Sequence, residues 1–440
     1  MGIFIWLLVV VVLIVWLTVR LKLHPFLALL FGAIAMGFLA QLEVAILVGS
    51  LAEGFGGTLR SIGIVIAAGT IIGEYLDRSG GARVLANKIL DTVGEKNSPL
   101  SMSLTGYIVS IPVFCDSGFI VLSALNKAIA KRAKISLAVL AVALASGLYA
   151  THVFVPPTPG PLAAAATLGA DIGWVLILGL IVSVPVMIAA LVWATRFCKN
   201  YEIDFELSDA AESKKINPPS FTIALTPILS PILLIALKSI AELPAAPFGE
   251  GFLFSTFVFF GDPIIALLTG VILAFFMVKG GRKKIQNQWL EEALKKAGII
   301  ILITGAGGAF GAVLRETDLG DFAAQFAEIG GLGVLIPFLI AAFLKSAQGS
   351  STVAIITAAA ITAPLLEPLG FDSTLGTALV VLAIGAGSLT VSHVNDSYFW
   401  VVAKFSEMDT PTALKTHTVA TLIMGITGLI TIQILAWILV

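Results

Sequence analysis

Charged residues are scarce in this chain of 440 residues, and their scarcity excludes an ordinary soluble domain. Asp, Glu, Lys and Arg make up 12% of the sequence, apolar residues make up 58%, and the mean hydropathy is +1.03. A typical soluble domain is about 25% charged and about 45–50% apolar. A soluble fold of this composition would expose its surplus apolar surface to water, whereas a lipid bilayer removes that penalty.

Cysteine and catalytic signatures are also sparse. The two cysteines, Cys115 and Cys198, are too few for a disulfide framework. We find no Gly-x-Ser-x-Gly elbow, no His-Glu-x-x-His motif and no glycine-rich nucleotide loop. The net charge of −1 comes without a basic block. We therefore expect no cofactor, no resident metal and no nucleic-acid partner.

Long uncharged runs predict helices that cross a membrane. Residues 3–19, 26–42 and 172–195 contain no charged side chain, and a crossing helix needs roughly 17–25 apolar residues. The alternating pattern of barrel strands is missing. The first run lacks the basic segment and cleavage site of a signal peptide, so we interpret it as a retained helix. The sequence predicts an all-α integral membrane protein.

Basic residues give a predicted topology because they collect in cytoplasmic loops. Their clusters lie near residues 20–22, 78–96, 127–134, 196–215, 279–296 and 404–415. With every cluster inside, both termini lie outside and about ten helices cross the bilayer. Residues 99–126 and 331–366 each return to the face from which they start, and each is too short for two crossings, which need roughly 40 residues. We therefore predict two re-entrant hairpins that enter from opposite faces.

The two halves of the chain resemble each other in opposite orientation. Residues 136–153 align without gaps with residues 377–394, which pairs His152 with His393. Inverted repeats of this kind are typical of secondary transporters, although apolar helices can also resemble one another by composition alone. The predicted units are a first repeat at 1–196 with hairpin 99–126 and broken helix 135–170, a cytoplasmic linker at 197–220, and a second repeat at 221–440 with hairpin 331–366 and broken helix 374–402.

Polar elements interrupt both predicted broken helices. Residues 151–161 read THVFVPPTPGP, and each proline removes a backbone donor, so the helix must break near His152. Residues 392–397 read SHVNDS and form a matching break. Both breaks offer groups that could bind an ion or a hydroxyl, although the first could also be an external loop. The candidates here are Thr151, His152, Pro156, Pro157, Thr158, His393, Asn395 and Asp396.

Polar residues also occupy both hairpin tips. A charge at the bilayer centre costs about 2.5–3.5 kcal/mol, so Asp116 is a functional candidate, with a structural ion pair as the alternative. Lys345 could face a substrate carboxylate, anchor the tip, or pair with an aspartate. Packing of small residues between helices is the alternative for the remaining tip residues. Those candidates are Ser117, Gly118, Gln348, Gly349, Ser350, Ser351 and Thr352.

At these motifs the sequence resembles the gluconate permease (Gnt) family of proton symporters, which transport gluconate, related sugar acids and D-serine. The specific matches are residues 22–28 (KLHPFLA), 151–161 and 347–353 (AQGSSTV). The resemblance implies two inverted repeats, scaffold helices with a moving transport unit, and usually a homodimer. The chain departs from the better-known gluconate members, which carry Glu-Val-Gly where this chain has 116–118 and tend to have His at the position of Thr158.

We therefore expect a secondary active transporter in the inner (plasma) membrane. The resemblance implies that it imports a small hydroxy-acid or sugar-acid anion, such as gluconate or glycerate, with protons by alternating access. A co-transported proton removes the cost of moving an anion against the membrane potential, about 2.3 kcal/mol per 100 mV. Asp116 is the first candidate proton carrier, before Asp396, His152 and His393. Sodium-coupled transport of a carboxylate or amino acid, an intramembrane hydrolase and a passive channel stay open.

Overall fold

The computed structural model describes residues 2–94, 97–205, 218–242, 248–249, 251–278, 283–317, 333–394 and 396–440. These residues form helices and the turns between them, with no strand among them. The predicted all-α class is confirmed.

Several helices are long and apolar enough to cross a membrane. In the described part of the chain these are Leu137–Leu168, Ile172–Asn200, Phe221–Lys238, Lys283–Arg315 and Thr410–Leu439. Two bent pairs could add a span each: Val44–Ser61 with Gly63–Arg78, bent by 47°, and Phe252–Gly261 with Pro263–Phe275, bent by 70°. The second bend follows from Pro263, because Asp262 ends one helix and its carboxylate accepts a hydrogen bond from Ile264 N at 3.0 Å in the next. The total of ten crossings stays a prediction.

The first half contains nine helices within the described residues. They are α1 (Gly2–Val19), α2 (Pro25–Leu39), α3 (Val44–Arg78), α4 (Gly81–Val93), α5 (Ser98–Val109), α6 (Cys115–Ala133), α7 (Leu137–Phe154), α8 (Pro159–Leu168) and α9 (Ile172–Phe197). Helices α5 and α6 form the first hairpin, which extends beyond the predicted residue 126. The sequence boundary followed the end of the apolar stretch, whereas α6 continues through its basic last turn to a left-handed Lys134.

The second half follows a similar order. Its described helices are α10 (Phe221–Ala241), α11 (Phe252–Gly261), α12 (Pro263–Phe275), α13 (Lys283–Arg315), α14 (Leu335–Gln348), α15 (Ser351–Thr362), α16 (Thr374–Leu389), α17 (Ser397–Phe405) and α18 (Thr410–Leu439). Helix α18 contains a π-helical turn at Leu414–Thr418. Helices α14 and α15 form the second hairpin; residues 331–332 of the predicted span lie outside the described residues.

Packing follows the same order in both halves. The first hairpin helix packs on the first part of the broken helix, α5 on α7 and α14 on α16. That part in turn packs on the last helix, α7 on α9 and α16 on α18. Every residue of α7 is buried, and α16 is buried from Gly376 to Leu389. The first parts of the two broken helices therefore lie at the centre of the protein.

Glycines bring the two long helices α3 and α13 into backbone contact. A methyl group at Gly54 would lie 2.5 Å from Gly308 O and 2.6 Å from Ala312 Cβ. Close approach through small residues is a common way for membrane helices to associate. The two long helices, one from each half, form a tightly packed crossing.

Toward their C-terminal ends, the same two helices present glycines to the first break and to both hairpins. On α3, Gly69 approaches Pro157 in the first break and Gly73 approaches Pro112 in the first hairpin turn. On α13, Gly307 approaches Ile356 and Gly311 approaches Ala360, both on α15 of the second hairpin.

We expect Gly54→Ala to destabilise the protein, because overpacking a close contact typically costs about 1–3 kcal/mol. Gly56→Ala is the matched control on the same helix, since a methyl group at Gly56 would meet no atom of the described residues within 4 Å. There the substitution should be neutral or stabilising through helix propensity. Thermal unfolding of the purified variants in detergent measures both effects. Equal stability of the two variants would contradict the close crossing.

Candidate functional site

Proline chemistry determines the first break. Helix α7 ends at Phe154 because the residue before a proline leaves the helical region, and Val155 precedes Pro156. The break therefore begins after Phe154, whereas the sequence suggested a break near His152. The Pro156–Pro157 peptide bond is cis. The Thr158 hydroxyl donates to Val155 O at 2.7 Å, so this side chain closes the turn.

The second break lies between α16 and α17 and is held by α18. Helix α16 ends at Leu389, and Val391 has a left-handed backbone with φ of 58°. Ser392 N donates to Thr421 Oγ1 at 3.0 Å, and Thr418 Oγ1 donates to Ser392 O at 2.5 Å. His152 is helical whereas His393 lies in this break, so the gapless alignment of the two histidines does not extend to their local structure.

A buried ion pair joins the second hairpin to the second break. Lys345 Nζ lies 2.6 Å from Asp396 Oδ2, and the two side chains are 1% and 3% exposed. The ammonium also donates to Gly349 O at 2.7 Å and lies 5.8 Å from the centre of the Tyr149 ring. Of the three roles predicted for Lys345, this structure has the pairing with an aspartate.

Asp396 has partners besides the lysine. Its Oδ1 accepts from Tyr398 N at 3.0 Å, which caps the N-terminus of α17. The Ser392 hydroxyl donates to Oδ2. A helix N-terminus stabilises a carboxylate through its unpaired N–H groups and its dipole. Asp396 is therefore held by one ammonium, one hydroxyl and one helix end.

Asp116 is a second carboxylate at the same site. It lies in the first turn of α6, within electrostatic range of Asp396 and Lys345. Its Oδ1 is buried and has no hydrogen-bond partner among the described residues. The site thus combines one ammonium with two carboxylates, and only one carboxylate is paired with that ammonium.

Two tyrosines that the sequence analysis did not select complete the site. Tyr149 OH lies 2.5 Å from Ser351 Oγ, and Tyr398 OH donates to Ala145 O at 3.0 Å. Their ring centroids are 5.0 Å apart. A buried tyrosine usually finds a partner for its hydroxyl, and Tyr149 lies in an uncharged helix beside the candidates Thr151 and His152, so that rule could have selected it from the sequence.

Three histidines surround the charged groups. The His152 ring lies 5.8 Å from Phe114, and its Nδ1 has no partner within the described chain. His393 Nε2 is 3.2 Å from Ser346 O. His417 is 1% exposed and lies 5.6 Å from the Tyr398 ring. The helix begins as early as Thr410, so His417 lies about two turns inside it.

The other predicted residues are distributed around this centre. Thr151 is 3.5 Å from Gly147 O within its own helix, and Ser350 caps α15 by accepting from Val353 N at 3.3 Å. Gly118 packs against Leu148, and Thr352 is half-buried. The side chain of Gln348 and all of Asn395 lie outside the described residues.

Two cavities lie along α3, one beside residues 53–61 and the other beside residues 70–77. The larger has a volume of about 340 Å³ and includes Glu53, Thr58, Thr167 and Arg315 in its lining. The smaller has a volume of about 10 Å³ and is lined by Ser117 and Phe114 of the first hairpin, beside Glu74 and Lys296. Glu74 is buried and pairs with Lys296 at 2.5 Å and with Arg78.

A bundle of apolar helices that encloses a charged centre between two hairpins and two broken helices is the arrangement of a membrane transporter. The solved structure of the YdaH transporter from Alcanivorax borkumensis has the same fold, with a TM-score of 0.67 over 94% of this chain and 99% of that chain, at 16% identity. Fold and site therefore define the class of the protein as an α-helical integral membrane protein with two hairpins and two broken helices.

Sequence comparisons identify the family. A family model described as GntP family permease matches residues 2–438. A gluconate permease of Pseudomonas aeruginosa is 34% identical over 444 residues, covering 98% of this chain and 97% of that protein. A D-serine transporter of Escherichia coli is 34% identical over 434 residues, covering 96% of each chain. The chain belongs to the GntP permease family, and it is a transporter and not an enzyme.

Proposed function

We propose that this protein is a symporter that imports a small hydroxy-acid or sugar-acid anion together with a proton by alternating access. The observation that carries the proposal is the charged centre of Lys345, Asp396 and Asp116, buried between the hairpins and the breaks. A charged side chain inside a membrane protein is costly, so its presence there makes it a functional candidate. The ammonium can bind the carboxylate of a substrate, and a carboxylate of the site can bind the proton.

The substrate class follows from what the relatives' named substrates share. Gluconate and D-serine both carry a carboxylate and at least one hydroxyl group. Lys345 offers the cation, and its ammonium stands over the ring of Tyr149, whose hydroxyl lies 2.5 Å from Ser351 Oγ. The residues at 116–118 and 158 differ from the better-known gluconate pattern, so glycerate or another short hydroxy acid fits as well as gluconate.

Charge accounting supports one proton per monovalent anion. One ammonium and two carboxylates sum to one negative charge in the empty site. If a proton binds Asp116 when the anion enters, the sum remains one negative charge. The anion and the proton together then carry no net charge, and the membrane potential does not oppose import. Asp116 is the carrier in this scheme because its Oδ1 has no donor within the described residues.

The packing order shared by the two halves supports the two inverted repeats. The basic clusters support an orientation in the inner membrane with both termini outside. In that orientation the cavity of about 340 Å³ lies toward the exterior and the cavity of about 10 Å³ toward the cytoplasm. The homodimer rests on the family resemblance.

Uptake into proteoliposomes tests the proposal. An inward proton gradient of one pH unit should drive roughly tenfold accumulation of gluconate or glycerate, about 1.4 kcal/mol. Accumulation should persist when potassium and valinomycin hold the membrane potential at zero. D-Glucitol, which lacks the carboxylate of gluconate, serves as the control. Accumulation driven by a sodium gradient alone would contradict proton coupling, and downhill uptake alone would identify a channel.

A further inference from the structure

We propose that Asp396 competes with the substrate for Lys345. The Asp396 carboxylate pairs with the Lys345 ammonium in the carrier without substrate, and the carboxylate of the substrate displaces it. The inference rests on the proposed function in taking the ligand to be a carboxylate. It assigns Asp396 the role of setting affinity rather than of carrying a proton.

The contacts of Lys345 suit an exchange of partners. An ammonium has three N–H donors. One donates to Gly349 O at 2.7 Å, at the C-terminal end of α14, where the helix dipole favours a cation. Another points to Asp396 Oδ2 at 2.6 Å. The backbone contact can hold the ammonium in place while the carboxylate partner changes.

The contacts of Asp396 suit displacement without protonation. Once Lys345 turns to a substrate, Asp396 retains the Tyr398 N–H and the Ser392 hydroxyl as donors. Charge-assisted hydrogen bonds of this kind stabilise a carboxylate. The Asp116 Oδ1 has no such donor among the described residues. The two aspartates therefore have different roles: Asp116 binds the proton, and Asp396 remains ionised.

The surroundings of the pair leave Lys345 as the cation that an anion meets. The titratable groups that face Lys345 and Asp396 from the neighbouring elements are Cys115, Asp116, Tyr149, His152, His393, Tyr398 and His417. None of these is a lysine or an arginine. A carboxylate that enters this centre must therefore compete with Asp396 for the same ammonium.

The substitution Asp396→Asn separates competition from a structural role. Asn is nearly the same size and is also a good helix cap, so α17 should remain capped. Removing a competing state raises the apparent affinity in proportion to the fraction of carriers it blocked. We expect gluconate and glycerate to bind at least about tenfold more tightly to the variant, while D-glucitol binding is unchanged. Titration calorimetry on purified protein in detergent measures this across pH 5–8.

The pH dependence of binding gives a second readout. Because Asp116 binds the proton in this scheme, Asp396→Asn should leave the slope of affinity against pH unchanged. A loss of slope would overturn the inference and make Asp396 a proton carrier. Weaker or unchanged gluconate binding would also overturn it, since a merely structural aspartate predicts no gain.

Two further variants keep the experiment decisive. Asp262→Asn is the matched control, because Asp262 also caps a helix at 3.0 Å and lies near a lysine, Lys238, at 3.9 Å, yet its side chain is 44% exposed. It should bind gluconate like the wild type.

The double variant Lys345→Gln/Asp396→Asn removes both charges and should fold but lose gluconate binding, whether or not Asp396→Asn alone can be purified. Wild-type affinity in the double variant would overturn the inference. Binding needs no gradient, so failure of proton-driven uptake would remove the proposed symport and leave this comparison intact.

Discussion

We expect Asp116→Asn to abolish the accumulation of gluconate driven by a pH gradient. Asn matches Asp in size but cannot take up and release a proton, so the variant loses the driving force of about 1.4 kcal/mol per pH unit. Exchange of labelled for unlabelled gluconate across the membrane should continue, because exchange needs no net proton movement. The measurement is uptake into proteoliposomes with and without a pH gradient, followed by counterflow.

Asp171→Asn is a suitable control for this experiment. Asp171 is also an aspartate at the start of a helix, where it accepts from Trp174 N at 2.8 Å, but it lies at α9, away from the charged centre. It should retain gradient-driven uptake. If Asp116→Asn behaves like this control, Asp116 is not the carrier, and His152 and His393 are the next candidates.

We expect Lys345→Gln to remove gluconate binding and to destabilise the protein by about 3–5 kcal/mol. The substitution leaves Asp396 buried without its cation, and breaking one side of a buried pair is costly for that reason. The same change removes the ammonium of the charged centre formed with Asp396 and Asp116. Denaturation in detergent and calorimetry measure the two effects separately.

The double variant and a second lysine provide the comparison. Replacing Asp396 by Asn in the Lys345→Gln background should recover most of the lost stability but not the binding, because the buried charge is gone while the cation is still missing. Lys296→Gln should cost less than about 1 kcal/mol, as expected for a pair that is partly exposed. Lys296 is 45% exposed, and Arg78 still pairs with Glu74 after the change. Equal losses in Lys345→Gln and Lys296→Gln would contradict a special role for Lys345.

Local chemistry explains which features the sequence could predict. The membrane class follows from composition, and the first break follows from the prolines after Val155, because both effects act over neighbouring residues. The hairpins follow from short segments between charge clusters. The first hairpin ends beyond its predicted boundary, because α6 continues past the end of the apolar stretch that marks it in the sequence.

The composition of the site could be predicted in part, but its pairing could not. Asp116 and Lys345 were selected as charged residues at the hairpin tips, and Asp396 was selected as part of the second break. Which of the two aspartates takes the lysine depends on how the second hairpin meets the second break, about 50 residues apart in the chain, and on the cap at α17. Tyr398 and His417 were missed because their position beside the ion pair depends on how α17 and α18 pack together.

The glycine faces of α3 and α13 have a mechanical consequence. Side chains on a helix form ridges that pack into the grooves of a neighbour, and their size at the contact sets the distance between the two helices. Gly69 and Gly73 present no side chain to the first break and hairpin, and Gly307 and Gly311 present none to the second hairpin. A methyl group would lie 2.2 Å from Pro112 O at Gly73 and 2.2 Å from Ile356 Cγ2 at Gly307. A larger residue at either position would therefore force a hairpin away from its long helix. One pair of helices thus sets the spacing of both hairpins as well as its own crossing.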